Sequence, residues 1–178
     1  VVRTGRGSAI VVDSGPDPSA MRACLDRLGI RSVPLLIITH FHADHVDGLA
    51  GVLQRRRIGQ LWLSPLAPPG PLTAMITSRA VQQRIPLHAP LPGTQATVGK
   101  AELQVLGPVE HVALDQDESS KQNDGSLVIM VEVAGLRLLL TGDVEPPGQQ
   151  AILAAGADLR ADVLKLPGFA VACGARQA

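Results

Sequence analysis

Aromatic side chains are nearly missing from this sequence: they make up 2% of 178 residues, with one Trp, two Phe and no Tyr. Phe41, Trp62 and Phe169 are the whole set, so Ala, Leu and Val must fill the interior. Net charge is missing too, since 16 basic residues balance 16 acidic ones. Composition therefore makes no electrostatic case for a nucleic-acid partner, although a local patch is still open. No run approaches the roughly 20 apolar residues of a membrane span, and no signal peptide is visible. Cysteine is scarce: Cys24 and Cys173 lie far apart and reveal no compartment. Cys24 falls on an expected helix and reads as a small buried residue rather than a bridge partner. There is no initiator Met, and Val1 falls inside an expected strand. The expectation is a chain cut from a longer one. What is present is a 46% apolar content, enough at this length for one domain with a real core.

The polar residues are concentrated in one stretch, Thr39-His40-Phe41-His42-Ala43-Asp44-His45-Val46-Asp47-Gly48. Val33-Pro34-Leu35-Leu36-Ile37-Ile38 precedes it and reads as a buried strand: short, β-branched and without helical period. Val46, Leu49, Val52 and Leu53 follow at helical spacing. The cluster therefore sits where a buried strand turns into a helix, the usual place for chemistry in an open α/β sheet. Side chains two apart in an extended segment share a side, so His40 and His42 can converge on one cation. Asp44 and His45 follow on the turn and can aim at a second point nearby. Imidazole and carboxylate suit Zn²⁺, and also Mn²⁺ or Fe²⁺.

This H-x-H-x-D-H signature (His40, His42, Asp44, His45) resembles that of the metallo-β-lactamase-fold hydrolases. Val11-Val12-Asp13-Ser14-Gly15 is similar to the family's first motif and Leu138-Leu139-Leu140-Thr141-Gly142-Asp143 to its fourth. Asp162-Val163-Leu164-Lys165-Leu166-Pro167 resembles the strand before its fifth. A narrower resemblance, to the C-terminal domain of the ComEC family of DNA-uptake channel proteins, is carried by Asp13-Ser14-Gly15-Pro16-Asp17-Pro18, Asn123-Asp124-Gly125-Ser126-Leu127-Val128, Thr141-Gly142-Asp143-Val144-Glu145 and Leu164-Lys165-Leu166-Pro167.

The resemblance implies an α/β fold, an αββα sandwich, here truncated at both ends. The domain would run over residues 1–167, with 168–178 a divergent or truncated tail. It implies a metal-dependent hydrolase, a nuclease-type phosphodiesterase of a competence protein. His40, His42, Asp44, His45 and Asp143 would hold up to two Zn or Mn ions, with Asp44 also orienting the attacking water. Implied partners are DNA and the membrane channel portion of the same full-length bacterial protein, with no small organic cofactor. The alternatives are a hydrolase of another ester, thioester or lactam, and an inactive binding or scaffold domain.

Several supporting positions keep two readings. Asp13 either forms a turn or supports the ligands, and Asp143 is either a turn Asp or the bridging ligand. Asn123 and Asp124 either ligate weakly or shape a turn; Ser126 belongs to the same segment. Lys165 either meets a phosphate or snorkels from a strand end. Two departures stand out. No His occupies Asn123–Ser126, where many relatives carry a ligand. Pro167-Gly168-Phe169-Ala170 stands where the family has Pro-His-His-Gly. One tightly held metal, or none, is therefore expected. His88 and His111 read as ordinary exposed residues.

Along the chain, strands are expected at Val1–Thr4, Ala9–Asp13, Leu61–Leu63, Ile85–Ala89, Gln95–Val98, Glu102–Leu106, Ser126–Val133, Leu136–Leu140 and Asp162–Leu166. Asp17-Pro18 opens a helix that Gly29 ends. Pro71 and Pro146 open two more. Arg55-Arg56-Arg57 should close the helix after the metal motif, cations suiting its dipole. Residues 110–123, polar and acidic, read as a mobile loop over the site.

Overall fold

The computed structural model describes residues 1–110 and 117–167. The first sheet holds β1 (Val2–Gly5), β2 (Ser8–Val12), β3 (Ser32–Ile38), β4 (Arg57–Leu63) and β5 (Leu87–His88), in that order. Only β1 runs antiparallel to its neighbour; β2 to β5 are parallel. The second sheet has the order β10 (Val163–Lys165), β9 (Leu136–Leu140), β8 (Val128–Val133), β7 (Ala101–Gly107), β6 (Gln95–Val98). It is antiparallel except for the β10–β9 pair.

Side-chain alternation sorts the apolar residues into three layers. On β3, Val33, Leu36 and Ile38 face the helices, while Leu35 and Ile37 face the other sheet. Both faces are buried, which is why this strand reads as an unbroken apolar run. On β8, Ile129 and Val131 join the core between the sheets, and Val128 and Met130 the outer layer. The first sheet is covered by α1 (Pro18–Arg27), α2 (Ala43–Val46), α3 (Leu49–Leu53) and α4 (Pro71–Gln82). Ile152 of α6 (Pro146–Ala154) packs on the second. The αββα sandwich is the expected one.

Four local expectations are corrected. The 110–123 stretch is not a loop throughout: α5 (Glu118–Asp124) forms, because the Asp117 carboxylate accepts from Ser120 N at 2.8 Å and caps it. Residues 111–116, with His111, lie outside the described residues, as does the tail from 168. The single helix expected after the motif is two short ones, α2 and α3, divided at Gly48. Gly48 N donates to Gly15 O at 2.7 Å, and a Cβ there would lie 2.0 Å from Ser14 O. Of the three arginines, only Arg56 closes α3, donating to Gly51 O and Gln54 O at 3.1 and 3.0 Å; Arg57 opens β4. Cys24 is buried on α1 as expected, but it is disulfide-bonded and not a simple thiol.

Candidate metal centre

The site is assembled from the C-terminal ends of both sheets. β2 ends at Asp13, whose backbone is left-handed at φ 55. From there its carboxylate reaches the neighbouring strand tip, taking Thr39 N at 2.8 Å and Thr39 Oγ1 at 2.9 Å. It also receives His45 Nδ1 at 2.8 Å. That bond turns His45 Nε2 towards two carboxylates, Asp143 Oδ2 at 3.3 Å and Asp44 Oδ2 at 3.5 Å. A carboxylate behind an imidazole fixes both its tautomer and its orientation.

His40 is buried. Its Nδ1 lies 3.2 Å from Thr39 Oγ1 and 3.3 Å from Ser126 Oγ, and its Nε2 lies 3.1 Å from His42 Nδ1. His42 Nε2 in turn sits 3.3 Å from Ser119 Oγ on α5. Each of the three imidazoles is therefore held by an oxygen from a different element, with its other nitrogen turned into the site.

The second sheet delivers Asp143. After β9 the chain turns at Gly142, left-handed at φ 55, where a Cβ would lie 2.6 Å from Ser126 Cβ; only glycine fits this turn. Asp143 N then donates to Ser126 Oγ at 3.1 Å. Lys165, the last residue of β10, reaches Asp143 Oδ1 at 3.0 Å and Gly142 O at 2.8 Å. One carboxylate oxygen is thus tied to Lys165 and the other faces His45.

The electrostatics differ between the imidazoles. Burial, then the neighbouring His45, pushes His40 down to about 4, so it stays neutral with a lone pair to offer. Burial also works against charge on His45, but hydrogen bonds and charge from Asp13 and Asp143 outweigh it and raise His45 to about 10.

These residues fit a divalent cation. Two ligand atoms about 2.0–2.1 Å from a tetrahedral ion lie about 3.3 Å apart. The His40–His42 nitrogens at 3.1 Å and the His45 nitrogen against Asp143 and Asp44 at 3.3 and 3.5 Å match that bite. His40, His45 and Asp143 all offer ligand atoms within 4.8 Å of one another. The geometry gathers one three-ligand group, with His42 3.1 Å from His40 and Asp44 3.5 Å from His45 beside it.

Of the residues singled out in the sequence, His40, His42, Asp44, His45 and Asp143 converge, with Asp13, Ser126 and Lys165 gripping them from behind. Asn123 and Asp124 turn elsewhere. Asp124 Oδ1 accepts from Glu145 N at 2.9 Å and Gly148 N at 3.2 Å at the start of α6, and Asn123 Nδ2 donates to Glu145 Oε1 at 2.8 Å. His88 is exposed on β5. Sequence reasoning missed Thr39 and Ser119. Thr39 was legible as a hydroxyl beside the first histidine; Ser119 carried no signal, since 76 intervening residues separate it from His42.

Comparison with known proteins identifies the fold and the family. The profile of the Metallo-beta-lactamase superfamily matches residues 1–170. ComE operon protein 3 of Bacillus subtilis (strain 168) is 25% identical over 138 residues, which cover 78% of this chain and 17% of that protein. The chain thus spans under a fifth of that relative's length. Among solved structures, the MIM-2 metallo-β-lactamase superposes with a TM-score of 0.59 at 21% identity, over 92% of this chain and 67% of the other. Zn(2+)-bound PqqB from Methylobacterium extorquens gives 0.58 at 18% identity, over 94% and 58%. At those identities the structures speak for the fold alone. The profile, spanning nearly every residue from the first strand through Asp143 and Lys165, shows that this chain belongs to the metallo-beta-lactamase superfamily.

Proposed function

We propose that the chain is a divalent-metal-dependent phosphodiesterase, the nuclease-type domain of a membrane protein of DNA uptake. The observation that carries it is the meeting of His45 from the first sheet with Asp143 from the second at 3.3 Å, beside the His40–His42 pair. A cation bound there supplies Lewis acidity and makes water nucleophilic near neutral pH. The rest falls to the protein. His40 and His42 hold one position, and His45 and Asp143 hold the other. Asp44, whose side chain is 59% exposed, joins His45 and Asp143 in holding the ion and also orients the attacking water. Lys165 holds Asp143 and puts a positive charge beside the incoming phosphate. Asp13, Ser126 and Ser119 keep the imidazoles in register. Zn and Mn both suit this donor set. The DNA substrate and the membrane channel partner rest on the similarity to ComE operon protein 3. No helix among the described residues is long and apolar enough to cross a membrane.

The test is to load the chain with Zn²⁺ or Mn²⁺ and assay single-stranded DNA, duplex DNA, a thioester and a cephalosporin side by side. Metal-dependent cleavage of DNA supports the proposal; turnover of the thioester or lactam alone replaces it with another hydrolase of the fold. A second reading, a domain that binds without cutting, is favoured by Pro167-Gly168-Phe169-Ala170, which stands where the family resemblance implies Pro-His-His-Gly. Partner binding that persists in chelator with no cleavage of any substrate supports that reading.

A further inference from the structure

The overall neutrality of the chain conceals an uneven distribution. β2, β3 and β4 begin at the end of the first sheet opposite the metal centre, and arginines crowd those beginnings and the approach to β5. Arg6 lies in the β1–β2 turn, Arg31 precedes β3, Arg55 and Arg57 flank the start of β4, and Arg84 precedes β5. Arg3 sits on β1 alongside. All six are exposed. Backbone bonds draw the beginnings together, Arg31 N to Gly7 O at 2.9 Å and Arg57 N to Arg31 O at 3.4 Å. The register Ser32↔Arg57 sets the starts of β3 and β4 level, and Leu61↔Leu87 starts β5 further along β4, with Arg84 three residues before it. A carboxylate on the neighbouring helix, Asp26, is engaged by buried Arg56. Around the second sheet, by contrast, Arg137 pairs with Glu132 and Asp158, and Arg160 with Asp158.

Backbone conformation is an independent mark. Arg55 (φ 60) and Arg84 (φ 54) hold the left-handed position just beyond α3 and α4. Beyond α1 and α6 that position is Gly29 (φ 66) and Gly156 (φ 76). Glycine reaches this conformation without strain and arginine does not, so chain reversal explains the glycines but not the arginines.

We infer that this end of the sheet is a docking surface for the phosphate backbone of nucleic acid. Neighbouring strands lie about 4.8 Å apart, so the row from the β1–β2 turn to β5 spans about 15–20 Å. That length faces about five phosphates on one strand of a duplex, at about 3.4 Å each. The planar guanidinium fork suits phosphate oxygens, and the row is arginine throughout. An anionic bilayer is the competing polyanion. A bilayer surface gains from several exposed apolar side chains among its cations, and Val81, at the end of α4, is a single exposed valine beside this row. The surface is separate from the metal centre and does not depend on the nuclease reading.

The test uses the full 178-residue chain in EDTA, which keeps any failure of hydrolysis out of the result. The chain is titrated against a fluorescently labelled duplex of about 30 base pairs at about 50 mM salt, and the salt is then varied. The expected slope of log K against log salt is about −4. The Arg31→Glu/Arg57→Glu double variant should weaken binding at least about tenfold and flatten the slope by about two. Arg160→Glu, a single charge reversal in the connection between α6 and β10, should bind like the parent. Arg84→Gly should lose about threefold in affinity while its unfolding midpoint holds or rises, because glycine relieves the turn. The inference is overturned if the parent does not bind the duplex, if Arg160→Glu weakens binding as much as the double variant, or if phosphatidylglycerol vesicles bind more tightly than the duplex.

Discussion

The two ends of the first sheet are made by the same parallel strands yet differ in every chemical respect. Where the strands finish, the polar atoms are tied to one another: Asp13 alone receives Thr39 N, Thr39 Oγ1 and His45 Nδ1. Where the strands begin, most of the arginines are exposed: Arg3 donates to Leu28 O at 2.6 Å, and the buried Arg56 is bonded to Ile30 O, Gly51 O, Gln54 O, Arg22 O and Asp26. Parallel strands bring all their starts to one edge and all their finishes to the other. A residue preference at either position is therefore repeated strand after strand. A net charge of zero averages over such an arrangement, and the local field does not.

The contrast predicts that the two ends fail separately. The largest effect should come from Asp143→Ala, which removes a ligand contributed by the other sheet. Metal affinity should fall by about 100-fold or more, read by metal analysis after dialysis against a graded chelator. Duplex binding in EDTA should be unchanged, and a parallel loss there would join the two ends into one site. Next comes Arg56→Ala, which strands several buried carbonyls and should cost about 2–4 kcal/mol in urea unfolding. Arg57→Ala beside it should stay within about 0.5 kcal/mol, as expected of an exposed side chain. Asp13→Asn keeps the shape behind His45 but removes the charge, and should lower metal affinity about 10–100-fold with the fold retained. The smallest effect is that of Ser119→Ala, about tenfold or less in metal affinity, with Ser119→Thr restoring it. Equal loss from Ser120→Ala would show that α5 acts as a whole and that the hydroxyl on His42 has no special part.

Much of this was legible from residue order. The unbroken apolar run of β3, the Asp-Pro start of α1, the prolines opening α4 and α6 and the H-x-H-x-D-H turn are local signals, and the structure follows them. Asp143 was legible because a strand ending in Thr-Gly-Asp is itself a pattern. Harder to read were contacts between distant segments. Gly48 splits one expected helix in two because a carbonyl from the β2–α1 connection approaches it, and no local pattern encodes that approach. On sequence grounds Asp124 could ligate or shape a turn; in the structure its carboxylate instead accepts from the α6 N-terminus, a contact between distant segments. The arginine end was invisible because its members are scattered between Arg3 and Arg84 and meet only once the strands align.

Ser126 Oγ touches both His40 Nδ1 and Asp143 N, and Leu127 N donates to Thr39 O at 2.9 Å. These bonds stitch the start of β8 to the tip of β3, across the seam between the halves. A cation shared by His45 and Asp143 would act there as a rivet. Loading should then slow amide exchange at Leu127 and Asp143 well beyond that of the strand centres, so the ion would govern how freely the sandwich breathes.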